Sequence, residues 1–252
     1  MVHEVAAAGF NDPADYEAAR PSYPTDAVAW FVSELGLAPG RQVCDVAAGT
    51  GKLTRLLVPT GANLCALEPV AGMRSTFRGV VHDVPLVAGT AEALPFGDAS
   101  LDATVVAQAW HWFDHDRAGA EMARVIRPGG NLGLVWNARD RTVGWVDEIW
   151  AIMDRVEKRA PWRDHEHWRE SARALPDFAP MRSAEFRHTQ ALTPEQVVQR
   201  VASVSHVAVL PDADRASVLE EVRSVIAHNA DTRDRGAVEL PYRVDCLAYR
   251  RA

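Results

Sequence analysis

The stretch CDVAAGTGKLT, residues 44–54, decides the fold. It reads as a short apolar strand that runs into a glycine turn and opens at once into a helix. Open α/β sheets bind their ligands at such a place, beyond the carboxyl ends of the strands. Gly49 and Gly51 let the backbone come close to a ligand, and Asp45 sits where a carboxylate can accept hydrogen bonds from a cationic group.

The turn excludes several nucleotide sites. A phosphate-binding P-loop requires a glycine where Val46 stands and a Ser or Thr where Leu53 follows Lys52. A dinucleotide fingerprint needs a third glycine at position 54, which is Thr54. The Tyr-x-x-x-Lys pair of a short-chain reductase is absent, because neither Lys52 nor Lys158 has a tyrosine four positions before it. The next strand ends at Glu68, whose two carboxylate oxygens can receive both hydroxyls of an adenosine ribose. A strand-end carboxylate in solvent is the plain alternative.

Working outward, the pattern alternates. Val28, Phe31, Val32 and Leu35 form one apolar helix face in PTDAVAWFVSELGL, with Thr25 as its N-cap. Strand signals follow at 42–47, 63–68, 85–89, 101–108 and 131–137, with helical patterns between them, the last stopped by Arg127-Pro128-Gly129-Gly130. Apolar strands separated by crossover helices predict a parallel sheet covered on both faces, hence a doubly wound α/β fold. The rhythm changes after Asn137. Residues 139–180 show a helix near 143–159 and no strand, and then come strand-like 185–192, a helix at 212–228 and a last strand at 244–251.

This divides a single domain, 1–252, into an N-terminal lid segment (1–23), a core (24–138), a helical cap insertion (139–180) and C-terminal strands and helix that complete the sheet (181–252). Bulk properties narrow the partners. Lys and Arg total 27 against 34 Asp and Glu, a net charge of −7, with no run of cations to track phosphates, so neither nucleic acid nor an anionic membrane is expected. No apolar stretch nears the ~18 residues of a membrane span, and the N-terminus lacks the pattern of a signal peptide. A cytoplasmic protein with reduced thiols at Cys44, Cys65 and Cys246 is expected.

The fourth strand runs into VVAQAWHWFD, residues 105–114. It lies beside the first strand at the switch point, so Trp110, His111 and Trp112 fall at the mouth of the site and are candidate acceptor contacts. His111 has the pKa range of a general base, and it equally suits a histidine that only packs. An extended chain would put the two indoles on one side and His111 on the other, a separation that a turn beginning at Ala109 removes. Trp145, Trp150, Trp162 and Trp168 suit an aromatic lid or a small core of the cap itself. No metal site is expected: DHEH (164–167) and the pair His111 and His115 lack cysteine partners or an H-E-x-x-H helix.

DVAAGTGKLT, ALEPVAGM, GTAEALPFGDASLDATVVAQAWHWFD and MARVIRPGG, in that order, resemble the class I S-adenosylmethionine-dependent methyltransferases. More narrowly they resemble the "methyltransferase type 11" group of small-molecule enzymes. The likeness covers about residues 16–137. It implies a Rossmann-like seven-stranded sheet, mostly parallel with an antiparallel last strand, and S-adenosyl-L-methionine as cofactor, released as S-adenosyl-L-homocysteine. It further implies that Asp45, Ala47, Gly49 and Gly51 hold the amino-acid end of the cofactor and Glu68 the ribose. Pro69 and Met73 would lie near the adenine or ribose, Thr90, Ala91 and Glu92 at the adenine edge, and Gln108 beside the methionine portion. Tyr16 or Arg20, in a segment folding over the cofactor, would meet its carboxylate. Two departures stand out: the group's first glycine is Ala47, and the acid often found at the adenine edge is Thr90.

The expected activity is methyl transfer to a small-molecule acceptor. A protein that keeps the cofactor pocket but has lost turnover fits the same residues, and a nicotinamide oxidoreductase fits them less well. Neither the acceptor, the methylated element nor the oligomeric state is legible in the sequence.

Overall fold

A computed structural model of the chain describes residues 20–157, 172 and 175–252. Tyr16, Trp162, Trp168 and the DHEH segment lie outside the described residues. The strands are β1 (Gln42–Val46), β2 (Asn63–Leu67), β3 (Leu86–Val87), β4 (Leu101–Ala107), β5 (Ile126–Arg139), β6 (Phe178–Leu192) and β7 (Val238–Arg251). The helices are α1 (Thr25–Leu35), α2 (Lys52–Leu57), α3 (Ala71–Val80), α4 (His115–Val125), α5 (Gly144–Glu157), α6 (Pro194–Ala202), α7 (Ser205–Ala208) and α8 (Asp212–His228).

The strands form one seven-stranded sheet in the order β3-β2-β1-β4-β5-β7-β6. Pairing is parallel from β3 through β5, while β7 runs antiparallel to both β5 and β6. The doubly wound sheet with an antiparallel last strand is therefore as the sequence leads one to expect. Period-two alternation distributes its side chains. Cys44, Val46, Leu132 and Leu134 face the α4 side with Met122 and Trp110, whereas Val43, Ala103, Val105 and Val135 face Phe31 and Leu35 of α1. Helix α1 comes close enough that a Cβ at Gly133 would lie 2.5 Å from Leu35 and 2.6 Å from Phe31.

Several boundaries differ from the sequence reading. β3 shrinks to two residues at the sheet's edge, where Pro85 has no N–H to donate. β5 begins at Ile126, because an irregularity between Leu101 and Ala103 of β4 absorbs the Pro-Gly-Gly run. Strand also enters the 139–180 segment at its end: Phe178 already pairs with Arg251, since the antiparallel ladder with β7 extends past the alternating stretch. Helices α6 and α7 were not anticipated. The start of α6 is a capping box, in which the Thr193 hydroxyl accepts from the Gln196 N–H and the Gln196 side chain accepts from the Thr193 N–H.

The cap is a composite. Trp145, Val146, Ile149 and Met153 of α5 share a core with Val197, Val198 and Val201 of α6, with Val218, Val222 and Ile226 of α8, and with Leu240 and Tyr242 of β7. Trp145 and Trp150 are both buried there. Among the described residues no helix is long and apolar enough to cross a membrane, and no group of His, Cys, Asp and Glu could hold a metal ion.

Candidate functional site

A cleft of about 600 Å³, open to solvent, lies over the carboxyl ends of β1, β4 and β5. Its floor is the 47–50 backbone together with Ala107 and Gln108, and its walls include Arg20, Tyr23, Asn137, Arg139 and Arg200. The strand order reverses between β1 and β4, so the cleft stands at the topological switch point of the sheet.

The glycine turn is built in two halves. Ala47 (φ 58°) and Gly49 (φ 60°) adopt left-handed backbone and line the cleft. For Ala47 that conformation carries the strain that the group's usual glycine would avoid. A Cβ on Gly49 would meet nothing within 4 Å. Gly51 (φ 85°) faces the other way, where a Cβ would lie 2.7 Å from Val81 and 2.9 Å from Phe77. The two glycines therefore serve different ends: Gly49 keeps backbone open to the cleft, and Gly51 lets α3 pack beneath the turn.

Two acids hold this floor from below. Glu68 is buried, and its carboxylate accepts from the Gly49 N–H at 2.9 Å and from the Val70 N–H at 2.8 Å, stapling the β1 turn to the end of β2. Burial raises its pKa, against the two N–H groups and Arg74. Asp45 is 1% exposed and accepts from the Thr54 hydroxyl at 2.5 Å, while its Oδ1 has no hydrogen-bond partner. Desolvation pushes Asp45 up to about 7, with the Glu68 charge adding to the rise and the Thr54 hydrogen bonds opposing it.

Beyond the turn the expected residues separate. Gln108 lines the cleft in left-handed conformation (φ 59°), and its Nε2 donates to the Asn137 carbonyl at 3.4 Å. Arg20 lines it too and donates to the Ser203 carbonyl at 2.9 Å, tying the N-terminal segment to the cap. Pro69 is half-buried and Met73 buried, at the start of α3. Thr90 bridges Ala93, Ala91 is packed in the main core, and Glu92 accepts from the Asp114 N–H at 3.1 Å.

The Trp-His-Trp run forms one 3-10 turn, Trp110–Trp112, preceded by Ala109. The turn puts none of the three among the residues lining the cleft. Trp110 is fully buried in the main core, edge-on to Phe113 and stacked on His115 at 5.4 Å. Trp112 packs half-buried against that core, and His111 sits between the rings of Trp112 (4.8 Å) and Trp136 (4.9 Å). Trp145 belongs to the cap core rather than to the cleft lining.

Of the cleft residues that the sequence reading did not single out, four carry an amide or a positive charge. Asn137, at the end of β5, donates to the Ser22 carbonyl (3.1 Å) and contacts His188 (3.0 Å). Arg139 follows it, its guanidinium 4.6 Å from the Trp150 ring centre. Lys52 opens α2. Arg200, 2% exposed, reaches the cleft from α6. A signal for it existed: Val197, Arg200, Val201 and Val204 stand at i, i+3, i+4 and i+7, so an arginine interrupts an apolar helix face.

The model of a methyltransferase domain family matches residues 44–134. An uncharacterized methyltransferase of Mycobacterium tuberculosis is 40% identical over 233 residues, covering 92% of this chain and 90% of its own. A fission-yeast relative, an uncharacterized methyltransferase-like protein of Schizosaccharomyces pombe, is 34% identical over 227 residues, 88% of each chain. Among solved structures, that of a putative type II methyltransferase from Anaeromyxobacter dehalogenans superposes with a TM-score of 0.69 at 23% identity. It covers 92% of this chain and 97% of that one.

Proposed function

The chain belongs to the class I S-adenosylmethionine-dependent methyltransferases, and we propose that it moves a methyl group from S-adenosyl-L-methionine to a small-molecule acceptor held in the cleft over β1, β4 and β5. The observation that carries this reading is the open backbone at Gly49, which lines the cleft together with the strained Gln108 at the switch point of the sheet.

The residues fit the cofactor on two counts. A Cβ at Gly49 would meet nothing, so a ligand has room against that backbone, and Asp45 keeps a buried carboxylate oxygen without a partner for the cofactor's ammonium group. When bound, S-adenosyl-L-methionine would supply a methyl carbon activated by its sulfonium. The chain's own work is alignment. Gly49 is held by Glu68, so the turn does not have to reorganise, and Gln108 is fixed by the N–H it donates to Val135 and the side-chain bond to Asn137. Pre-organised walls keep donor and acceptor at near-attack distance and exclude water, which are the main contributions a protein makes to in-line displacement.

Calorimetric titration with S-adenosyl-L-methionine and S-adenosyl-L-homocysteine, with NAD and NADP as controls, tests the reading. One saturable site for either adenosyl compound and no nicotinamide response is expected. Absence of adenosyl binding would overturn it and point to Ala47 and Thr90 as disabling departures.

A further inference from the structure

The cleft carries cations out of proportion to the molecule. Arg20, Lys52, Arg139 and Arg200 line it, and among the described lining residues there is no Asp, Glu or His, although the whole chain has a net charge of −7. Lys52 follows the glycine turn directly, Arg139 ends β5, and Arg200 reaches the same cleft from α6.

Arg200 is the most unusual of these. It sits on a helix face otherwise packed into the cap core, it is 2% exposed, and among the described residues its Nε and Nη1 find no hydrogen-bond partner. A buried guanidinium without a counter-charge is costly, because water is removed and nothing replaces it. Several acids of the adjoining helices are committed elsewhere: Glu195 and Glu220 pair with Arg223, Glu221 pairs with Arg155, and Asp147 and Asp154 pair with Arg141. Packing among the described residues therefore does not account for this charge, whereas a ligand anion would.

We propose that Arg200, together with Arg139, forms an acceptor subsite selective for small organic acids, anchoring the acceptor's carboxylate at the end of β5. The proposal rests on the methyltransferase reading and adds the substrate class. A guanidinium matches a carboxylate in geometry and holds its charge at any physiological pH. Asn137, in the same cleft, is turned toward Ser22 and His188, and so fixes the end of β5 without competing for the anion.

The test has two stages. Calorimetry first establishes S-adenosyl-L-homocysteine binding, and its absence would sink the methyltransferase reading itself. The S-adenosyl-L-homocysteine complex is then titrated with small mono- and dicarboxylic acids, among them succinate, benzoate and indole-3-acetate, each beside its primary amide. Saturable binding of at least one acid, without binding of its amide, is expected. Arg200→Gln should weaken that acid by about 30-fold or more and leave S-adenosyl-L-homocysteine affinity unchanged, the usual scale for removing one partner of a buried ion pair. Arg200→Lys should recover part of the loss. Should Arg200→Gln fail to fold, Arg139→Gln carries the same reading, with a smaller loss expected. Equal binding of acids and amides, binding of none of the acids, unaltered acid affinity in both variants, or a loss confined to S-adenosyl-L-homocysteine would each overturn the proposal.

Discussion

The floor and the roof of the cleft treat buried charge in opposite ways. Below the glycine turn, the Glu68 carboxylate is answered by two backbone N–H groups and Asp45 by the Thr54 hydroxyl. Above, Arg200 is as deeply buried and its Nε and Nη1 meet no acceptor. The floor is finished by the fold except at the Asp45 Oδ1, and it lies within the segment that matches the methyltransferase domain model, residues 44–134. Among the described residues nothing finishes the roof. In the proposed reading the cofactor rests on the first, and the acceptor's carboxylate answers the second.

The sharpest way to break the floor is at its two glycines. Gly51→Ala adds a methyl group 2.7 Å from Val81 and 2.9 Å from Phe77 in a backbone conformation that disfavours alanine. Strain and overpacking together predict a loss of about 2–4 kcal/mol in urea unfolding. Gly49→Ala has the same backbone problem without the collision, so about 1 kcal/mol is expected. Its methyl group would instead project toward the cleft, and adenosyl binding should fall more than stability does. Equal unfolding losses in the two variants would mean that the halves of the turn are not distinct.

The Asp45→Asn variant sharpens the comparison through pH. Burial raises the carboxyl from 3.8 to about 7, so ionising it costs folding free energy. That cost is absent below pH 4, accumulates as pH rises toward 7 and is constant above. Asparagine cannot ionise, so the variant should gain stability relative to the parent across that window and hold the gain at higher pH. Cofactor binding should move in the opposite direction: a cationic ammonium favours ionised Asp45, so parental affinity should climb toward pH 7 and the variant's should stay low and flat. A stability difference independent of pH would show that Asp45 does not titrate as its burial dictates.

The same contrast marks what the sequence could disclose. Local chemistry was legible: CDVAAGTGKLT announces strand, left-handed turn and helix within eleven residues, and the strand-helix rhythm yields the sheet. Contacts that bridge distant segments were not. Glu68 reads as a ribose acceptor, yet its direction toward Gly49 depends on how β2 lies beside β1. Arg200 comes to the cleft only because α6 packs against α5 and α8, whose apolar faces share one core with the end of β7. An arginine in an apolar stripe tells of a buried charge without telling what it faces.

His111 should give the smallest effect. The turn beginning at Ala109 removes the geometric objection to a shared pocket, but the ring ends between Trp112 and Trp136 and not among the cleft residues. A general base must reach the proton it removes, within hydrogen-bond distance or through one water. His111→Phe preserves an aromatic ring between the two indoles, so packing should survive. A histidine acting only by packing would leave kcat within a few-fold and the shape of the kcat/KM pH profile unaltered. A base would lose about 100-fold or more together with the limb of the profile that reports its protonation. The first outcome agrees with an acceptor that arrives already ionised, held by arginines instead of being deprotonated by the enzyme; the second would restore the mouth of the site to the catalytic centre and shift weight from the roof back to the β4 turn.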